Sequence, residues 1–238
     1  PLVVLTNGKI RYAQSSDYSD AYLDSPIVIT KSVQKKIDLK NRQQQFDFFM
    51  AFGDPTFGVT VQIDVTSKYK EWKSAKILNA GLIHSVSTAI NQIPQFKQRI
   101  TDNLQVIEWD VIHPGFTILK EDETFAFCFV EFKKDLEVFA PHCRTLVEKA
   151  KTRDAMFDPA QTDTDVFYLS IVPLLHFTAI SHPIKNPPDS VPRMAIGQCV
   201  EQPDGRVLMP LNVQVHHALI DALHISRFFE AVQAYYHQ

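Results

Sequence analysis

Residues 209–233 read MPLNVQVHHALIDALHISRFFEAVQ, and two periods meet in them. From Leu211 to His217 apolar and polar residues alternate, the pattern of a strand with one buried face. Leu211, Val213, Val215 and His217 then share one face, and Asn212, Gln214 and His216 the other. From Asp221 to Tyr236 the period lengthens. Ile225, Phe228, Phe229, Val232 and Tyr236 fall along one side of a helix. Asp221 stands at the expected N-cap, where a carboxylate accepts from the free amides of the first turn. His217 is thus the polar residue that closes an apolar row at a strand-to-helix junction. A histidine so placed can be held in one tautomer and used as a base. It can also be a purely structural ring, and spacing alone leaves that the commoner outcome.

The same two periods organise the rest of the chain. "NRQQQFDFFMAF" reads as a helix and "GVTVQIDVT" as a strand. Residues 69–93 carry Trp72, Leu78, Leu82, Val86 and Ile90 at helical spacing, and Pro94 marks the end. Three strands follow in "LQVIEWDVI", "GFTILK" and "TFAFCFVEF". "LEVFAPHCRTLVEKA" returns to helix, with Pro141 as a start or kink. "DVFYLSIV" is a buried-strand run, and "PDG" between "PRMAIGQCVEQ" and "RVLMPLNVQV" is turn chemistry for a hairpin. This order predicts an α/β fold over residues 35–238: a single layered domain, its mixed sheet mostly antiparallel and flanked by helices. Residues 1–34, polar and irregular through "SSDYSDAYLDSP", are expected to form a peripheral arm.

Composition narrows the function classes. A net charge of −3 over 238 residues carries no basic footprint for nucleic acid. No apolar run approaches the roughly 20 residues that span a bilayer. The start, "PLVVLTNGK", has no basic flank and no long apolar region, so it is not expected to act as a signal peptide. Cys128, Cys143 and Cys199 are odd in number and form no CxxC pair, which fits free thiols in a reducing cytoplasm. No zinc site is expected, because His216 and His217 point to opposite faces and His224 has no second ligand in obvious reach. No GxSxG elbow is present.

"MPLNVQVHHALIDALHISRFFEAVQ" closely resembles the C-terminal signature of the trimeric chloramphenicol acetyltransferases, in "PL", "VQVHHA", the aspartate, the following histidine and "RF". "VIEWDVIHPGFTILKEDETF", "RQQQFDFFMAFGDPTFGVTVQIDVT" and "YLSIVPL" resemble three further segments of that family. The resemblance implies an O-acetyltransferase that moves an acetyl group from acetyl-CoA to a hydroxyl of chloramphenicol or a similar small alcohol. It implies His217 as general base and Ser170 as donor to the tetrahedral oxyanion. It pairs Asp221 with Arg42 as structural support, and places Phe48, Phe49, Phe57, Phe125 and Phe157 around the acceptor. It implies a homotrimer with sites at subunit boundaries, His217 coming from one chain and much of the aromatic pocket, the 48–57 phenylalanines included, from its neighbour. Antibiotic resistance would be the associated role. From the residues alone, Ser170 is an ordinary strand serine, Arg42 a surface arginine, and any of the five phenylalanines a core ring.

The sequence also departs from the family pattern. Ala222 replaces the glycine after the motif aspartate, and would cost about 1 kcal/mol if that position needed φ > 0. Leu223 replaces an aromatic residue and Leu174 a tryptophan. Ala195 replaces a pocket threonine, and Cys199 a tyrosine on the CoA side. Three other readings therefore stand beside the first: an acyltransferase for a different acceptor, a dihydrolipoamide acyltransferase core sharing an HHxxxDG motif, and a degenerate, non-catalytic binding protein on the same fold.

Overall fold

The computed structural model describes residues 32–157 and 165–237 with their side chains, and the backbone of 3–6 and 9–12. Pro1–Val33 and Gln34–Gln238 are two compact units. In the first, β1 (Val3–Thr6) and β2 (Lys9–Tyr12) pair antiparallel, Val3 opposite Tyr12. A hairpin thus stands where irregular chain was expected, and the intervening Asn-Gly dipeptide is chemistry that favours one. "SSDYSDAYLDSP" lies outside the described residues.

The second unit begins with β3 (Gln34–Ile37), then a 3-10 turn at Lys40–Arg42 leads into α1 (Gln43–Met50). β4 (Thr56–Asp64), α2 (Thr66–Ser74), α3 (Leu78–Gln92), β5 (Gln98–Ile100), β6 (Val106–Trp109), β7 (His113–Leu119) and β8 (Phe125–Phe129) follow. Next come α4 (Leu136–Thr152), β9 (Val166–Val172), β10 (Arg193–Gly197), β11 (Val200–Glu201), β12 (Val207–His216) and α5 (Ala222–Tyr236). The helix expected over 69–93 is in fact two. Lys76, at φ 57°, ends α2 with Ile77 N–H on the Trp72 carbonyl and Lys76 N–H on that of Lys73. That is a Schellman close made without glycine, so its usual sequence mark is missing. The fold back brings Gly81 under Trp72, where any Cβ would stand 2.4 Å from the indole. Pro141 lies inside α4 rather than at its start.

The main sheet runs β4-β12-β10-β9-β7-β8, with β11 also on β12. β9 is parallel to β10 and β7; the other pairs are antiparallel. The β11–β12 turn holds Gly205 at φ +83°, as "PDG" foretold. A second sheet, β3-β6-β5, was only partly legible, since β3 and β5 are short. One face of the main sheet carries Met209, Leu211, Val213, Val215, Leu169, Phe116 and Cys128, and joins α3, α4 and α5 in one buried core. Burying about ten such side chains supplies roughly 20 kcal/mol against chain entropy. The other face carries what the alternation assigned to it. Asn212 Nδ2 donates to Thr60 Oγ1 at 3.0 Å, and Gln214 Oε1 accepts the His182 amide at 2.8 Å from the segment that crosses that face.

Candidate active site

His217 follows the last paired residue of β12, His216, which stands opposite Thr56. Its N–H donates to the Pro55 carbonyl at 2.8 Å, so the end of β4 fixes its backbone. Phe57, paired with Val215, leans on the imidazole with ring centroids 4.3 Å apart. Phe49 of α1 stacks on it at 3.8 Å with planes 11° apart. Two phenylalanine rings therefore pack on the imidazole. Phe48, largely exposed, packs edge-on against Phe49, and Phe52 against both.

Polar groups hold the loop behind His217. Arg42 Nη2 donates to the His217 carbonyl at 3.0 Å and Arg42 Nε to that of Ala218 at 2.9 Å. The same guanidinium grips both oxygens of Asp221, with Nη2 to Oδ1 at 3.0 Å and Nη1 on Oδ2. This fork is the geometry for which arginine is suited and lysine is not. The hydrogen bonds from Arg42 hold the Asp221 carboxyl below its usual range despite partial burial. Asp221 Oδ1 lies 3.3 Å from His217 Nδ1, within ion-pair reach but outside hydrogen-bond alignment. Arg42 and Asp221 thus meet as expected. Ala222 is the first residue of α5 and is not among the described residues with positive φ, so the lost glycine strains nothing.

The other expected residues lie elsewhere. Ser170 is on β9, level with Ala195 and, across β10, with Asn212. It is two strands from β12 and five residues short of His217, on the order of 20 Å away. It also stands on the sheet's other face, with Asn212 rather than Val213. Phe125 is on β8, four strands from β12, roughly 19 Å. One chain therefore does not bring Ser170, Phe125 or Phe157 to His217. The grouping of Phe49 and Phe57 with a neighbour's half of the pocket is corrected too: they touch this chain's own His217, because α1 and β4 flank the end of β12.

Sequence reading missed the centre of the second cluster. Phe125, Phe127 and Phe129 alternate along β8 and share the face away from the core. Phe157 stacks on Phe127 at 4.8 Å, and Tyr168 approaches it at 6.1 Å. Gly115 makes room for Phe129, since a Cβ there would lie 2.6 Å from that ring. The period-two spacing of "FAFCF" was the available signal. Leu119, Leu174 and Leu175 are also widely exposed. A separate cleft of about 720 Å³ lies between α2, α3, α4 and α5, lined by Trp72, His84, Lys134 and Arg144 and by none of the expected site residues. Among the described residues, no helix is long and apolar enough to cross a membrane, and no His, Cys, Asp and Glu side chains group as metal ligands.

The profile of the chloramphenicol acetyltransferase family matches residues 33–233. A chloramphenicol acetyltransferase of Proteus mirabilis is 32% identical over 82% of this chain and 89% of its own length. Chloramphenicol acetyltransferase 3 of Escherichia coli is 29% identical over 83% of this chain and 94% of its own. A solved chloramphenicol acetyltransferase structure superposes with a TM-score of 0.73 at 23% identity, covering 87% of this chain and 99% of that one, which speaks to the fold.

Proposed function

The chain belongs to the chloramphenicol acetyltransferase family and is an acyltransferase, and from that premise we propose that it moves the acetyl group of acetyl-CoA to a hydroxyl of chloramphenicol or a similar small alcohol. His217 is the general base. Its edge takes the proton from the acceptor hydroxyl, and the oxygen attacks the thioester carbonyl. The tetrahedral oxyanion accepts a hydrogen bond from Ser170, a donor worth roughly 3 kcal/mol in comparable sites. The sulfur then leaves with the proton from His217, giving CoA and the acetyl ester. Asp221 and Arg42 support the base, and Phe48, Phe49, Phe57, Phe125 and Phe157, with Phe127, form the acceptor walls.

The observation that carries this reading is an imidazole packed by Phe49 and Phe57, with its backbone carbonyl held by Arg42 and the Asp221 carboxylate 3.3 Å from its Nδ1. A solvent-exposed structural histidine needs none of these. The separation of Ser170 from His217 adds a requirement. Both groups must serve one tetrahedral intermediate, His217 at the acceptor oxygen and Ser170 at the oxyanion, so the site is assembled from two chains, His217 from one and Ser170 with the β8 phenylalanines from its neighbour. A homotrimer provides three such sites, and buries the exposed rings of Phe125 and Phe157. Residues 35–238 are the acetyltransferase domain, residues 1–34 a peripheral arm, and the setting is cytoplasmic. The degenerate binding reading draws on Ala195, Cys199 and Ala222 together, and of these Ala222 loses its weight because it sits unstrained.

Thiol release from acetyl-CoA in the presence of chloramphenicol tests the activity directly. A panel of small aryl alcohols, run beside it, identifies a different acceptor. CoA binding without release under any acceptor would favour the non-catalytic reading. Expression in a sensitive host, scored as growth on the drug, tests whether resistance follows.

A further inference from the structure

His224 belongs to the quoted segment, yet the proposed reaction gives it no task. It is the third residue of α5 and half-buried. Its Nδ1 accepts the backbone N–H of Asp221 at 2.9 Å. This is the returning half of a capping box, a place where Glu or Gln usually stands. A ring nitrogen that accepts cannot also carry a proton. While the bond is made, His224 is neutral and its proton is on Nε2.

What the Asp221 side chain meets gives the bond its meaning. The Asp221 carboxylate enters the Arg42 fork, and lies 3.3 Å from His217 Nδ1. Arg42 in turn holds the His217 and Ala218 carbonyls. The amide clamped by His224 therefore sets the direction from which Asp221 meets both partners. We propose that His224 is a positioning residue: as a neutral imidazole accepting at Nδ1, it fixes the Asp221 backbone, and through Asp221 and Arg42 the orientation of His217. The catalytic consequence rests on the reading of His217 as general base.

Protonating Nδ1 would set an N–H against the Asp221 N–H and break the clamp. The charged groups facing His224 are Asp221 at its N-cap, Arg42 from the turn before α1, and Arg227 one turn along α5. Burial and the two arginines oppose the imidazolium and Asp221 favours it, with burial the largest influence and the net direction downward. Near neutral pH the clamp is closed. Acidification opens it and adds one proton to the acid limb of the activity.

The test compares wild type, His224→Gln and His224→Leu as full chains, by NMR of ¹⁵N-histidine-labelled protein and by acetyl transfer to chloramphenicol across pH. Glutamine can accept the same N–H through Oε1 without titrating; leucine cannot accept at all. The Nε2–H tautomer is expected for His224. The His217 ring signals should be unchanged in the Gln variant and displaced in the Leu variant. The acid limb of kcat/KM should be steeper by one proton in wild type than in His224→Gln. His224→Leu should lose about tenfold or more in kcat, because a small misorientation of a catalytic group is costly. An Nδ1–H tautomer, or His217 signals and pH profiles alike in all three proteins, would overturn the proposal. Should His224→Leu fail to fold, the wild-type tautomer and the Gln acid limb decide. A wild type that transfers no acetyl group sinks the reading of His217 as base alone, since tautomer and ring signals are read without substrate.

Discussion

Two aromatic regions of this molecule look alike in composition and differ in what holds them. Around His217, Phe49 and Phe57 are pressed against a ring whose backbone is tied by Pro55 and Arg42. On β8, Phe125, Phe127 and Phe129 stand on an edge strand. They are held by ring stacking, by the Phe127 N–H on the Met156 carbonyl at 2.8 Å, and by Arg153 on the Phe127 carbonyl. The first region is braced by a charged fork; the second leaves rings such as Phe125 and Phe157 about half exposed. On the proposed function His217 is a base that must keep its orientation through the reaction, so bracing is worth its conformational entropy. A surface that receives an apolar molecule or a neighbouring subunit gains from being left open.

The largest effect expected is at the braced region. His217→Ala should lower acetyl transfer by about 10²–10⁴ while the thermal melt stays near that of wild type. A variant keeping more than about a tenth of wild-type turnover removes His217 from the mechanism. Ser170→Ala should cost roughly 10²–10³ in kcat with little change in KM, as expected of a donor used only in the transition state. Equal losses in kcat and binding would instead make Ser170 a part of the pocket wall.

Mixed assemblies sharpen the contrast between the regions. Co-refolding His217→Ala chains with Ser170→Ala chains should restore partial activity, because some interfaces then join an intact base to an intact donor. Mixing His217→Ala with Phe57→Ala should restore none, since both lesions fall in the same region of the chain. Sedimentation of wild type near three times the 27.2 kDa chain mass completes the test. A monomeric mass, or rescue in both mixtures, breaks the two-region assignment.

Smaller effects concern the fork. Arg42→Ala should cost roughly 1–2 kcal/mol of stability, below the 3–5 kcal/mol of a deeply buried pair, because Asp221 is 38% exposed. A double-mutant cycle with Asp221→Ala should show coupling in both melting and turnover. The Asp221 carboxyl is depressed in the folded state, chiefly by the Arg42 hydrogen bonds. Its contribution is therefore complete above the ordinary carboxylate pKa of about 4 and fades as pH falls through the lowered value. Acid melts of wild type and Asp221→Asn should converge below that point. The smallest effect is Ala222→Gly, which should destabilise by about 0.5 kcal/mol, because the position is helical and needs no positive φ. Stabilisation in urea titrations would show that the turn is strained after all.

The end of β12, the N-cap at Asp221, the turn at Gly205 and most strands were legible because each rests on periodicity or on the chemistry of a few adjacent residues. The break at Lys76 was not, since the left-handed residue there is a lysine and the cause is the packing of Trp72 onto Gly81. Of 17 phenylalanines, composition could not say which would touch His217. The resemblance carried five of them over together, and the structure divides them between two places.

The sequence by itself determined the face on which each side chain of β12 stands, the start of α5, and the family of the chain, because alternation, capping and a long motif are local. Tertiary structure alone decided that Arg42 reaches Asp221 across 179 positions, that Phe49 and Phe57 pack on His217, and that Ser170 stands far from His217 within one chain. Those distances depend on strand order and register, which are set by pairings between remote segments. A period within one segment says which way a side chain points, and nothing about what it meets there.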